Sequence, residues 1–152
     1  MRKLPIYLLV DTSDSQRGEP IVLMRNKIQM LVFALHKDPQ ALETACLSII
    51  TFGGAAEQIL PLTELAKFDL PELRVGGERM LGAALDLLCD CRDREVAKTT
   101  AERKGDWKPY VFIFTNGDSR DLLGAALGRF YSRRWSKIVS FASCSKVNLV
   151  KL

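Results

Sequence analysis

Apolar runs alternate with segments of helical periodicity along the chain. Residues 4–10 and 110–114 are almost continuously apolar, which is typical of central parallel strands covered on both faces. A second strand is predicted from 42 to 52, a short third strand from 55 to 60, and a last strand from 137 to 142. Polar turns end these runs and separate them from the segments that follow.

Three segments between the strands have the spacing of helices. Apolar residues recur every three to four positions over residues 20–36, and Asp38-Pro39 is predicted to end this helix. A long helix is predicted from 79 to 104 and another from 121 to 134. The segment 61–73 is predicted to be a loop with one helical turn.

Strands that alternate with helices predict a Rossmann-like open α/β sheet, mostly parallel, with helices on both faces. The chain has 152 residues, and we expect a single domain over 1–152. The N-terminal apolar run is short, contains Pro5 and stops at Asp11, so we interpret it as a buried strand rather than a signal peptide. No run approaches the roughly 20 apolar residues of a membrane helix, and no membrane partner is expected.

Charge and cysteine content narrow the function classes. The chain has 22 Lys and Arg against 18 Asp and Glu, a net charge of +4 that is only weak support for an anionic partner. Cys46, Cys89, Cys91, Cys144 and the single His36 lack the paired ligand spacing of a zinc site. Four reduced thiols indicate a cytoplasmic protein.

Two polar turns follow the strands at 4–10 and 110–114. The first is Asp11-Thr12-Ser13-Asp14-Ser15, and the second is Thr115-Asn116-Gly117-Asp118. If the two strands are neighbours, both turns lie at the carboxyl edge of the sheet, where open α/β folds bind ligands. Carboxylates and hydroxyls without a soft ligand suit Mg²⁺, Mn²⁺ or Ca²⁺. The alternative is that these are ordinary turn and helix-capping residues.

The pattern Asp11-x-Ser13-x-Ser15, directly after an apolar strand, resembles the DxSxS signature of von Willebrand factor A (VWA) domains. The stretches LPIYLLVDTSDS, DPQALETACLSIITF and REVAKTTAERKGDWKPYVFIFTNG are similar to the TerY-like subgroup, and the similarity covers residues 4–143. That subgroup is bacterial and is linked to tellurite resistance and stress-response phosphorylation systems. The resemblance implies a VWA fold with one antiparallel edge strand. The family usually continues with another helix and strand after the position of Ser143, so the resemblance leads us to expect a C-terminally short version of the fold.

The resemblance also implies a metal-ion-dependent adhesion site built from three loops, the first of which supplies Asp11, Ser13 and Ser15. Where the family's second loop has a Thr this sequence has Arg79, and the TDG turn of the third loop reads Thr115-Asn116-Gly117. A guanidinium only donates hydrogen bonds and repels a divalent cation, and Asn116 offers an oxygen without charge. We therefore expect a degenerate site in which Arg79 salt-bridges Asp11, with at most a weakly held Mg²⁺.

The function implied by the resemblance is a non-enzymatic protein-protein interaction module. Its expected partners are a Ser/Thr kinase and a phosphatase, and Arg79 is a candidate contact for a partner's acidic or phosphorylated group. Asp14 and Asp118 are candidates for blocking the site or contacting the partner. Together with Asp121, they are also nearby acids that could restore some affinity for a cation. A homodimer through the edge strand at 137–142 is a further expectation. The alternative is a Mg²⁺-dependent phosphoryl-handling enzyme that uses Asp11 and Asp118.

Two other features of the sequence are candidates for binding. Residues 129–137 interleave basic and aromatic side chains, a pattern found in nucleic-acid binding, but cations and aromatics are also usual at a helix end that packs on a sheet. We prefer the second interpretation and expect no nucleic-acid partner. Trp107, in the polar helix end predicted at 97–108, is a candidate anchor for a partner if it is exposed.

Overall fold

The computed structural model describes residues 2–115 and 123–141 of the chain. The strands in this part are β1 (Leu4–Val10), β2 (Ala45–Thr51), β3 (Glu57–Glu64), β4 (Tyr110–Phe114) and β5 (Lys137–Phe141). The helices are α1 (Glu19–His36), α2 (Pro39–Thr44), α3 (Leu81–Glu95) and α4 (Gly124–Tyr131). Two short 3-10 turns, Asp14–Gln16 and Leu65–Lys67, complete the regular structure of these residues.

The strands form one sheet in the order β3-β2-β1-β4-β5. β1 is parallel to β2 and β4, β4 is parallel to β5, and β3 runs antiparallel to β2 at one edge. This confirms the predicted Rossmann-like sheet, mostly parallel with one antiparallel edge strand. Val10 pairs with Phe114, so Asp11 and Thr115 lie side by side where the parallel strands end. We call this end of the sheet the carboxyl edge and the opposite end the amino edge.

The buried apolar residues form two clusters, one on each face of the sheet. Successive residues of β1 point to opposite faces, so Tyr7 and Leu9 belong to one cluster and Ile6, Leu8 and Val10 to the other. α3 and α4 cover the first face, with Leu81, Leu85, Leu88 and Phe130 buried. α1 and α2 cover the second, with Met24, Ile28 and Ala41 buried. Helices on both faces are therefore confirmed.

The predicted start of the second strand was wrong. β2 begins at Ala45 rather than at Leu42, because residues 39–44 form α2. The Asp38 side chain accepts a hydrogen bond from the Gln40 amide at 3.0 Å, and Pro39 occupies the first helical position. Asp38 is thus the N-cap of α2 and Pro39 is its first residue, so this pair, which was predicted only to end α1, also begins the next helix.

The third strand was predicted too short. β3 continues through Pro61 to Glu64, where the sequence predicted a loop from 61 to 73. Proline is tolerated because β3 is the edge strand and its outer side needs no backbone donor. The β2–β3 pairing also contains register shifts, which bend an edge strand away from straight pairing.

The long helix predicted from 79 to 104 was wrong at its C-terminal end, since α3 ends at Glu95. The chain turns away because the Asp106 carboxylate accepts hydrogen bonds from the backbone amides of Ala97 at 2.9 Å and Lys3 at 3.0 Å. The Asp106 amide in turn donates to the Ala97 carbonyl at 2.8 Å. These long-range bonds override the helix propensity of residues 97–104.

The last helix and strand agree with the prediction in place, and the helix is shorter than predicted. α4 ends at Tyr131 rather than at Arg134, and Trp135 folds back so that its ring stacks on Phe130 at 5.0 Å and its Nε1 donates to the Phe130 carbonyl. β5 is described to Phe141, and Cys144 lies outside the described residues. Among the helices of residues 2–115 and 123–141, none is long and apolar enough to cross a membrane.

Candidate functional site at the carboxyl edge

The Asp11 carboxylate is the centre of the site. Asp11 directly follows β1, and its amide donates to the Phe114 carbonyl at 2.8 Å, which holds it at the carboxyl edge between β1 and β4. The residue is completely buried. Its Oδ1 accepts hydrogen bonds from the Ser13 amide at 2.9 Å and from the Ser13 hydroxyl at 2.6 Å. The loop after β1 therefore folds around its own carboxylate.

The other carboxylate oxygen of Asp11 accepts hydrogen bonds from three side chains, two of them from distant parts of the chain. Oδ2 accepts from Arg79 Nε at 2.5 Å, Thr115 Oγ1 at 3.0 Å and Gln16 Nε2 at 3.3 Å. The carboxylate thus accepts five hydrogen bonds from described residues, one of them from a cation. A buried charge is stabilised in this way by a paired cation together with satisfied lone pairs.

Arg79 bridges the two ends of the Asp11–Ser15 loop. Its Nη2 donates to Ser15 Oγ at 2.7 Å, while its Nε donates to Asp11. Ser15 Oγ lies 3.0 Å from Ser13 Oγ and also accepts from Gln16 Nε2. The Arg79 side chain is only 13% exposed. One guanidinium therefore contacts two of the three DxSxS side chains directly and reaches the third through Ser15.

The backbone around Arg79 is fastened to two neighbouring loops. Within the segment 76–80, the Gly76 amide donates to the Thr12 carbonyl at 2.8 Å and the Gly77 carbonyl accepts from the Asp14 amide at 2.9 Å. The Met80 amide donates to the Phe52 carbonyl at 2.9 Å, and Gly53 forms a β-bridge with Arg79. The segment is therefore held from both sides, which fixes where the Arg79 side chain leaves the backbone.

Two glycines permit this close approach of the three loops. A Cβ on Gly53 would lie 2.2 Å from the Thr12 carbonyl oxygen, closer than non-bonded atoms can come. Gly77 has φ of +80°, and a Cβ there would lie 2.3 Å from Gly54 Cα. Backbone therefore packs directly on backbone beneath Arg79.

The structure brings Asp11, Ser13, Ser15 and Arg79 together. Asp14 does not join them, because it is exposed and pairs with Arg17 at 2.9 Å. The other residues named for this edge, Asn116, Asp118 and Asp121, lie outside the described residues.

The sequence analysis gave no individual role to two residues of the site. Thr115 was named only as part of the second polar turn, and it donates to Asp11 from the end of β4. Gln16 donates to both Asp11 and Ser15, and nothing in the sequence distinguished it from other polar loop residues. Both side chains donate hydrogen bonds to the Asp11 carboxylate, as Arg79 does.

Cation-binding groups are sparse around this network. Over residues 2–115 and 123–141, no group of three or more His, Cys, Asp or Glu side chains is placed to hold a metal ion.

Three buried thiols, Cys46, Cys89 and Cys91, lie in the core, and burial raises the pKa of each above that of a free thiol. In that state they act as packing residues rather than as ligands or nucleophiles.

No protein-family model matches the sequence, and a search of curated proteins finds none similar to it. Solved structures are similar to the fold. The SpRpn10 VWA domain matches 95% of this chain and 90% of its own length, with a TM-score of 0.56 and 12% identity. The VWA2 paralog of ArnB from Sulfolobus acidocaldarius matches 80% of this chain, with a TM-score of 0.55 and 15% identity. The chain has a VWA fold.

A third structure extends the comparison beyond proteins with VWA in their names. Proximal thread matrix protein 1 from the mussel byssus matches 93% of this chain with a TM-score of 0.61 and 13% identity. This chain spans 37% of that protein and 29% of the ArnB paralog. At such identities the likeness establishes the VWA fold, whose carboxyl edge in this chain holds Asp11 and Arg79.

Proposed function

We propose that this chain is a non-enzymatic protein-protein interaction module that binds its partner at the carboxyl edge without a metal ion. The observation that carries the proposal is the contact of Arg79 with Asp11 and Ser15. The guanidinium supplies the positive charge that the buried carboxylate requires. It also joins the loop after β1 to the segment 76–80, so the surface is assembled before any partner arrives.

The side chains of the site do not fit a divalent cation while Arg79 is in place. Mg²⁺ requires oxygen ligands with lone pairs directed at it, at about 2.1 Å in octahedral geometry. Both oxygens of Asp11 and the hydroxyl of Ser15 already accept hydrogen bonds from nitrogen or hydroxyl donors. A guanidinium at the same point would also repel the ion. We therefore infer a degenerate adhesion site that has at most weak affinity for Mg²⁺.

The same contacts favour an interaction module over a Mg²⁺-dependent phosphoryl-handling enzyme that would use Asp11 and Asp118. A carboxylate that must hold a metal or attack phosphorus needs at least one accessible lone pair. Asp11 is completely buried and accepts five hydrogen bonds. Its arrangement is that of a structural ion pair.

The proposed subgroup and biological role of the chain are based on the resemblance of its sequence to TerY-like VWA domains. We place the chain in the TerY-like subgroup, as a bacterial cytoplasmic adaptor in a tellurite-resistance or stress-response phosphorylation system. The partners proposed on that basis are a Ser/Thr kinase and a phosphatase, with a second copy of the chain as a further candidate. The VWA fold supports a role in protein binding, and the TerY-like stretches at 4–15 and 94–117 support the subgroup.

Calorimetric titration with Mg²⁺ and Mn²⁺ tests the metal-independent site. The wild-type chain is expected to show no saturable binding heat at millimolar cation. Arg79→Thr removes the guanidinium and introduces the hydroxyl that the resembling family has at this position. This variant is expected to gain a measurable site, because Asp11, Ser13 and Ser15 then face a cavity without a resident cation.

The matched control is the double variant Asp11→Asn with Arg79→Thr, which keeps the cavity and removes the carboxylate charge. It is expected to lose the site gained by the single variant. Tight Mg²⁺ binding by the wild-type chain, lost in Asp11→Ala, would contradict the proposal.

A further inference from the structure

Basic side chains are concentrated at the amino edge, opposite the site already described. Lys3, Lys108 and Lys137 lie at or just before the starts of β1, β4 and β5, which are adjacent in the sheet. The exposed basic residues of this edge, here called the amino-edge patch, are Lys3, Lys98, Arg103, Lys104, Lys108, Arg134 and Lys137. Adjacent strands are about 4.8 Å apart, so the starts of these three strands lie within one small surface.

The chain segments that carry the patch are tied into one surface. The Trp107 amide donates to the Lys3 carbonyl at 3.0 Å, and the Ser136 amide donates to the Pro109 carbonyl at 2.8 Å. Arg2 Nε donates to the Gly105 carbonyl at 2.8 Å. The loop 96–109 is therefore fixed against both the N-terminal segment and the segment before β5.

The basic side chains of the patch form no ion pairs among the described residues. The ion pairs there involve Arg17, Arg74, Arg79, Arg129 and Arg133, none of which belongs to the patch. Acids do lie near its ends, since Glu64 and Asp106 line a cavity with Lys3 and Asp38 lines the groove that adjoins the patch. The excess of positive charge is therefore on the loop 96–109, where Lys98, Arg103, Lys104 and Lys108 outnumber Glu102 and Asp106.

This charge distribution differs from that on the neighbouring helices. Arg129 of α4 pairs with Asp90 of α3, and Arg133, just after α4, pairs with Asp93 of α3 at 2.7 Å. The arginines there stabilise helix packing. The lysines and arginines at 98–108 lie beyond the end of α3, so compensation of a helix dipole, which acts within the last turn, does not account for them.

A groove adjoins the patch. It is lined by the apolar and aromatic residues Leu4, Leu35, Ala41, Trp107 and Tyr110 and by the polar residues Asp38, Gln40, Thr44 and Ser136. Trp107 thus belongs both to the groove and to the loop that carries Lys104 and Lys108. Because the charged residue in the lining is Asp38, the groove offers an apolar seat, and any attraction for an anionic ligand comes from the lysines of the neighbouring loop.

The geometry favours an acidic peptide over a nucleic acid. Single-stranded nucleic acids bind by stacking bases on open aromatic faces. One face of the Trp107 ring carries the Arg2 guanidinium at 4.7 Å, and the Tyr110 ring packs edge-on against Phe112. The basic residues lie on loops and strand starts rather than on a helix or hairpin that could enter a duplex groove.

We propose that the amino-edge patch binds an acidic peptide segment, with one apolar side chain of that segment seated in the groove beside Trp107. This surface goes beyond the proposed function, because it lies at the opposite end of the sheet from Asp11 and Arg79. Both ends can then be occupied at once, and the chain joins two binding partners through one rigid sheet.

The test uses a fluorescein-labelled oligoglutamate peptide with one central leucine, with binding followed by anisotropy at low salt. Lys104→Glu with Lys108→Glu is expected to weaken binding roughly tenfold or more, because attraction between complementary charged surfaces becomes repulsion. The control is Arg17→Glu with Arg74→Glu, which makes the same change in net charge at exposed residues of the other edge. That control is expected to stay within about twofold of wild type.

Two further measurements complete the test. Replacing the leucine of the peptide by glycine is expected to weaken binding to the wild-type chain several-fold, because the groove is then empty. Equal weakening by the two charge-reversal variants, or no effect of the leucine, would overturn the proposal. Displacement of the peptide by a poly-dT oligonucleotide at a lower concentration than by unlabelled peptide would overturn it in favour of nucleic acid.

Discussion

Replacing Arg79 with alanine is expected to lower the free energy of unfolding by about 3 kcal/mol, since removing one partner of a buried ion pair leaves the other charge uncompensated. For a chain of this length that loss corresponds to roughly 10 °C in Tm. The Asp11 carboxylate would keep its hydrogen bonds from Ser13, Thr115 and Gln16 but lose its cation. Urea denaturation in buffer with EDTA measures the effect without a cation filling the vacated space.

Three variants separate the ion pair from other causes. Glu78→Ala alters an exposed neighbour on the same segment and is expected to change stability by less than about 0.5 kcal/mol. Arg79→Lys keeps the charge and loses the two-point contact, so an intermediate loss is expected. Asp11→Asn combined with Arg79→Ala removes both charges and is expected to cost less than the sum of the single changes. Strict additivity would show that the two groups are not coupled.

Gly53→Ala is expected to lower the free energy of unfolding by at least about 2 kcal/mol, because an added Cβ forces packed backbone apart. The added carbon would meet the Thr12 carbonyl and the Gly76 carbonyl oxygen, at 2.2 Å and 2.6 Å. Gly77→Ala has the further cost of a positive φ. Both changes should also displace Arg79, so cation binding should appear in these variants if they stay folded.

The matched controls are Gly124→Ala and Gly128→Ala on α4. A Cβ at either position meets nothing within 4 Å. Gly128 lies inside the helix, where alanine is favoured over glycine by about 0.5–1 kcal/mol, so this variant should be as stable as wild type or more stable. Thermal unfolding of the four variants in parallel distinguishes a packing effect at the carboxyl edge from a general glycine effect. A loss in Gly128→Ala equal to that in Gly53→Ala would contradict the account.

The central strands and the first helix could be predicted from the sequence because burial on both faces leaves an unbroken apolar run. β1 and β4 appear in the sequence as such runs, and α1 has apolar positions at helical spacing. The errors arose where a long-range contact decides the structure. The end of α3 depends on Asp106, which follows the last residue of the helix by eleven positions, across a loop. The length of β3 depends on its being an edge strand, which tolerates Pro61.

The site was predictable in part for a similar reason. Residues that follow parallel neighbouring strands must meet at one edge, so Asp11, Ser13 and Ser15 were placed by the strand pattern. Arg79 was found through the resemblance to VWA domains, since no periodicity marks it. The roles of Gln16 and of the close-packed Gly53 and Gly77 depend on three loops touching in space. The spacing of residues along the sequence does not predict that these loops touch.

A guanidinium at the centre of the site would change how partner binding is regulated. A metal-bridged contact responds to cation concentration and to chelators, whereas a covalently attached cation is always present. Partner binding at the carboxyl edge should therefore be insensitive to EDTA. Its strength should instead depend on the loops that Arg79 holds together.

The most direct test of the central claim is a crystal structure of the wild-type chain soaked in millimolar MnCl₂, with anomalous diffraction recorded to locate manganese. We predict that the Arg79 guanidinium lies within hydrogen-bond distance of Asp11 Oδ2 and Ser15 Oγ, with no anomalous peak beside them. An anomalous peak coordinated by Asp11, Ser13 and Ser15, with Arg79 turned away, would contradict the account.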